Sequence, residues 1–185
     1  ILMIDSQRDS LAVALKKLGY SMNTQDEGEL EEAKQELITQ KPLVLAYIVD
    51  EVRDKMLSGE GALAVAWSGD AMDVILSGET FDYAVPKEGS NFWIDAMVIP
   101  ANAKNADAAH KFINFMTDPE NAARNSEYIG YSTPNEGAME LLPEEMVSSD
   151  VAYPPQEVID NCEIFRDPGE FISVYNRIWT EVTIY

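Results

Sequence analysis

Short unbroken apolar runs alternate with stretches of helical period along the first two thirds of the chain, and that alternation is the tightest constraint on its fold. Continuous apolar strands are covered on both faces, and the helices between them supply the cover, so the pattern predicts an α/β architecture. Ile1 to Ile4 form the first run. Asp5 or Ser6 can cap a helix through about Leu18, with Leu11, Ala14, Leu15 and Leu18 on one face and Gly19 as its stop. A second helix is expected from Glu27 to Gln40. Asp26 is its N-cap and Glu29 its third position, ahead of Leu30, Ala33, Leu37 and Ile38, until Pro42 ends it. LVLAYIV (43–49) reads as a strand, Glu51 to Leu57 as a short helix, and ALAVAW (62–67) as a strand covered on both faces. Farther on, the spacing predicts a helix over Ser68 to Leu76 and strands over FDYAV (81–85) and NFWIDAMVIP (91–100). Helices follow over 106–116 and from Asp118 and Pro119 to about Tyr128. Pro143, Pro154, Pro155 and Pro168 then divide the tail into short pieces before a last amphipathic helix over Glu170 to Thr183.

Composition narrows the chemistry. An apolar fraction of 46% with 25% charged residues is that of a soluble globular protein, and 185 residues can bury a core as one domain or two small ones. Thirteen basic against thirty-three acidic residues leave a net charge of −20, which repels nucleic-acid phosphates and anionic membranes and attracts small cations. Nucleic acid is therefore not an expected partner, and most of the acids read as solvated surface. Cys162 is the single cysteine and His110 the single histidine, so neither an intrachain disulfide nor a zinc site can be assembled. No stretch reaches the roughly 18 consecutive apolar residues of a membrane span. Ser68 has no nucleophile elbow around it, and no phosphate-binding glycine loop is present. His110 in AAHKFINFM reads as a helix-surface residue, and the pairs Glu31-Glu32 and Glu144-Glu145 read as solvated faces. The expectation is a protein that is not an enzyme and needs no cofactor. Because the chain opens on ILMI without a charged leader, its natural N-terminal part, with any export signal or lipid-attachment cysteine, is expected to precede it.

The stretch PKEGSNFWIDAMVIPANAK (86–104) carries the most specific chemistry. Trp93 and Asp95, two positions apart, share one face of an extended segment, so one ligand could touch a negative ring face and a carboxylate together. That suits an alkylammonium guest. A core tryptophan followed by a turn aspartate fits the same residues equally well.

Four stretches in order, ILMIDSQRDSLAVALKKLGY, LAVAWSGDAM, VPKEGSNFWIDAMVIPANAKNADAAHKFINFM and IGYSTPN, resemble the spermidine- and putrescine-binding components of ABC importers. Each is weak alone; the ordered set covers most of the chain. The resemblance implies two α/β lobes joined by crossing strands, with a ligand gripped between them. Here one lobe would be periplasmic-binding-protein-like, with a mixed or parallel sheet flanked by helices, beside an incomplete piece of the second. Residues 1–94 would form the first part of the C-terminal lobe, 95–139 would belong to the otherwise missing N-terminal lobe, and 140–185 would return to the first. Helices over 106–128 would then lack a sheet to cover, which leaves domain exchange or a dimer open.

The resemblance further implies spermidine or putrescine as ligand, permease subunits of an ABC transporter as partners, and a periplasmic or extracellular location, free or lipid-anchored. It carries ligand-binding roles onto Trp93, Asp95, Trp67, Tyr131 and Asp9. Asp9 is one methylene shorter than the glutamate expected, and Ser6 stands where the pattern can hold an aspartate, which puts ligand length in doubt. A glutamine contact of the family would fall near Phe165, which does not match. Another amine, a sugar, or a structural segment without a ligand are the alternatives.

Overall fold

In the computed structural model, which describes residues 1–77 and 81–185, β1 (Leu2–Ile4) is the buried centre of the first half. It pairs in parallel with β2 (Ala46–Ile48), Leu2 opposite Ala46 and Ile4 opposite Ile48. Between them run α1 (Gln7–Leu18) and α2 (Glu27–Gln40), at the positions that capping and periodicity predict. Gly19 closes α1 in the left-handed conformation at φ 84°. Asp26 caps α2 by accepting from the Gly28 amide at 2.7 Å. Glu29 does not return the bond, because the Asp26 amide donates to the Thr24 hydroxyl instead.

The last helix, α10 (Ile172–Ile184), lies against α1 and α2 and follows a 3-10 turn at Gly169–Phe171. Met3, Leu11, Leu15, Leu30, Leu37, Tyr175, Ile178 and Val182 make a core in which each is at most 2% exposed. The Tyr175 hydroxyl is satisfied inside it by the Thr24 carbonyl at 2.9 Å. Buried Ser10 donates to the Ile4 carbonyl at 2.6 Å and so ties α1 to the end of β1. Outside the core, Lys34 bridges Glu31 and Glu181, and Arg177 bridges Glu27, Glu31 and Glu181, lacing α2 to α10.

The middle of the chain carries α3 (Val52–Leu57), α4 (Ser68–Leu76), α5 (Ala106–Met116) and α6 (Pro119–Ile129), followed by the short α7 (Glu136–Met139), α8 (Glu144–Val147) and α9 (Gln156–Asp160). A second apolar cluster joins Met72 of α4 to Ala122 and Ala123 of α6, and to Ala138, Leu142, Met146 and Ala152. α5 contributes no buried residue, and Phe112 is 58% exposed.

Among the described residues, three expected strands are not formed. ALAVAW (62–67) meets β1 only through one parallel bridge, Leu2 to Ala64, and Leu63 is exposed rather than covered on both faces. Residues 81–85 make no strand. Residues 91–100 are extended, yet only Asn91 finds a strand-like partner, Glu163. The reason is common to all three: a strand exists through its ladder, and apolar sequence supplies no neighbour to complete one.

Leu11→Ala should cost about 2–5 kcal/mol of stability in urea unfolding, since it opens a cavity where three helices meet. Phe112→Ala, on the uncovered face of α5, should change stability by no more than about 0.5 kcal/mol.

Candidate ligand-binding site

The site begins where two glycines let two backbones touch. A Cβ on Gly69, in the first turn of α4, would lie 2.3 Å from the Tyr131 ring. A Cβ on Gly130, at φ 74°, would lie 2.7 Å from the Gly69 carbonyl oxygen. The WSG and IGY stretches are therefore one structural unit, in which the end of α6 sits on the start of α4. Ser126, buried in α6, donates its hydroxyl to the Tyr131 carbonyl and fixes the turn.

Onto this unit the extended segment brings Trp93, whose ring packs edge-on against Tyr131 with centroids 5.2 Å apart and planes at 70°. Trp93 is still 38% exposed and Asp95 is exposed, so neither is sealed in hydrocarbon. The Tyr131 hydroxyl is pushed up to about 12, first by burial and then by the Asp70 and Asp95 carboxylates. Both charges therefore reach the aromatic pair. Trp67, at the N-cap of α4 two residues before Gly69, is half-buried.

Asp70, an acid that the sequence reading did not single out, lies beside the aromatic pair. Burial raises its carboxyl above the ordinary value, and the charges of Asp73 and Asp50 add to that, while Arg53 opposes it. Arg53 is itself committed to Asp73 at 3.2 Å. Among the described residues, neither Asp70 nor Asp95 has a salt-bridge partner. Asp70 also borders a cavity of about 210 Å³ lined by Val52, Met56, Val74 and Tyr83. Trp93, Asp95 and Tyr131 do not line it, so it adjoins the aromatic pair rather than containing it.

Asp9 and Ser6 lie at the start of α1. The Asp9 carboxylate accepts from the Ser6 hydroxyl at 2.5 Å and from the Asn91 amide nitrogen at 3.0 Å. Asn91 precedes Trp93 by two residues, so α1 and the Trp93 segment are joined side chain to side chain. The backbone there is pinned as well: the Phe92 amide donates to the Glu163 carbonyl at 2.8 Å, and the Glu163 amide to the Ser90 carbonyl at 2.9 Å. Burial by itself would raise the Glu163 carboxyl, but donation from Ser21, Lys16 and the Met22 amide outweighs it and holds the group below its ordinary range.

Aromatic edges lie here beside two carboxylates that have no salt-bridge partner among the described residues. Residues 2–155 match the model of the bacterial extracellular solute-binding protein family. The chain belongs to that family. It is 40% identical over 182 residues to the spermidine/putrescine-binding periplasmic protein of Escherichia coli K12, covering 98% of this chain and 52% of that protein. It superposes at a TM-score of 0.93 and 44% identity on a putative spermidine/putrescine ABC transporter protein from Listeria monocytogenes, over 100% of this chain and 57% of that one. The substrate-binding protein PotD of Streptococcus pneumoniae gives a TM-score of 0.84 at 39% identity, again over 100% of this chain and 57% of the other. The fold is that of an α/β lobe of these binding proteins, and the chain spans about half the length of the curated relatives it matches.

Glu163→Gln tests the contacts that the Glu163 carboxylate makes with Lys16, Ser21 and the Met22 amide. A carboxyl lowered on folding adds stability in full above its unfolded value, near 4.5, and loses it as pH falls through the lower folded value. The variant should therefore be less stable at pH 7, with a shallower loss of stability below about pH 4.5, measured as thermal midpoints against pH.

Proposed function

We propose that this chain forms part of an extracytoplasmic receptor that captures spermidine or putrescine and hands it to the permease of an ABC importer without covalent chemistry. The observation that carries the reading is the Trp93–Tyr131 pair set beside Asp95 and Asp70, two carboxylates without a salt-bridge partner among the described residues. A polyamine needs apolar cover for its methylenes and a counter-ion for each nitrogen, and this arrangement offers both. The kinship with polyamine-binding relatives supports the same ligand class. A sugar would also stack on the rings, but it would leave those carboxylates desolvated without a cation, which costs affinity.

In this reading residues 1–94 and 140–185 belong to one lobe and 95–139 to the other, with ligand binding accompanied by closure between them. The uncovered apolar face of α5 and the exposed Ile94, Met97 and Val98 then meet the remainder of the second lobe in a receptor of the relatives' length. The receptor acts outside the cytoplasm, free or lipid-anchored.

Calorimetric titration of a receptor of the relatives' length with diamines, triamines, amino acids and sugars should give binding for polyamines alone; binding of a sugar in preference to a polyamine would refute the assignment. Asp95→Ala should weaken polyamine binding by about 2–5 kcal/mol, because in the closed receptor it would leave a desolvated ammonium group without its counter-ion. Affinity should also fall as salt rises, since part of the attraction is screened.

A further inference from the structure

We propose that Asn91 is a positioning residue of the amine site, and that with Ser6 it holds the Asp9 carboxylate in a fixed orientation without neutralising it. The inference rests on the polyamine reading above and goes further, to a residue that neither the motifs nor the resemblance marks.

The local chemistry of α1 points the same way. Ser6 is the N-cap and Asp9 the third helical residue, the spacing at which a serine hydroxyl ordinarily accepts from the backbone amide of that residue. No such cap bond is made. The hydroxyl is turned instead to the Asp9 carboxylate at 2.5 Å, so the helix forgoes a stabilising cap to orient a side chain. Asn91 Nδ2 holds the other oxygen at 3.0 Å. A carboxylate has about four lone-pair positions, and two neutral donors leave about two of them, together with the full charge, for an ammonium group.

Glu163 shows the contrasting design within the same region. Its carboxylate meets Lys16 at 3.1 Å, and the ion pair cancels its charge. The acids that lace α2 to α10 are likewise paired with cations, whereas Asp9 is held only by uncharged groups. The bridge between Asn91 and Glu163 fixes the backbone from which the Asn91 amide reaches, and Trp93 follows two residues later. One asparagine thereby sets the carboxylate on α1 in register with the ring and carboxylate of the extended segment.

The test is a double-mutant cycle in a receptor of the relatives' length, titrated with spermidine and with putrescine. Asn91→Ala should weaken binding about tenfold, the scale of a hydrogen bond to a charged group. Asp9→Asn should weaken it at least as much, and adding Asn91→Ala to Asp9→Asn should change little, because Asn91 acts through Asp9. Ser6→Ala should show the same coupling to Asp9, and it keeps the question decidable if Asn91→Ala unfolds the receptor. Additive losses for both pairs, or unchanged affinity in Asn91→Ala, would overturn the positioning role while leaving the polyamine reading intact. A wild-type receptor that binds neither polyamine would overturn that reading and this one with it.

Discussion

The contact between the start of α4 and the end of α6 is the constraint on which the binding surface depends. It exists because two positions have no side chain: Gly69 admits the Tyr131 ring, and Gly130 admits the Gly69 carbonyl while turning the chain through φ 74°. A methyl group at either place would push the two segments apart, and with them the residues they present. Trp67 and Asp70 flank one glycine, Tyr131 follows the other, and Trp93 is held by packing on Tyr131. A short backbone approach thus gathers residues from three distant parts of the chain, which no single side-chain pair could do as rigidly.

Charge is distributed with equal economy. The net charge of −20 is spread over a surface where many acids are tied down, most visibly in the Lys34 and Arg177 network between α2 and α10. Near the aromatic pair the pattern reverses. Burial and the neighbouring Asp73 and Asp50 charges raise the Asp70 carboxyl, and Asp95 adds its field at Tyr131. Under the polyamine reading proposed above, acids that repel one another in an empty site would be relieved by an entering cation.

Helices were legible in the amino-acid sequence and strands largely were not, for a physical reason. α1, α2, α4, α5 and α6 are specified within their own length, by caps such as Asp26 and Asp118, stops such as Gly19 and Gly130, and apolar residues at helical spacing. A strand needs a partner that the local sequence does not name, so 62–67, 81–85 and 91–100 look apolar and extended without forming ladders. The site divides in the same way. Trp93 and Asp95 stood out as an aromatic and an acid two places apart, and the resemblance added Trp67, Tyr131, Asp9 and Ser6 as expected contacts. Asp70 reads as an ordinary first-turn acid of α4, and the bonds made by Asn91 and Glu163 run to partners remote in sequence.

The bridge at Asn91 and Glu163 marks the last place where the extended segment is held to its neighbours by a backbone ladder. Up to Phe92 the main chain is anchored on both sides; from Trp93 to Ile99, among the described residues, no backbone amide donates to another main-chain group. The course of the chain beyond the anchor is therefore set by side-chain packing, with the Trp93 ring against Tyr131, rather than by a ladder. The indole and the carboxylate two places farther on thus stand on main chain without a ladder, so removing the Tyr131 ring would loosen both together.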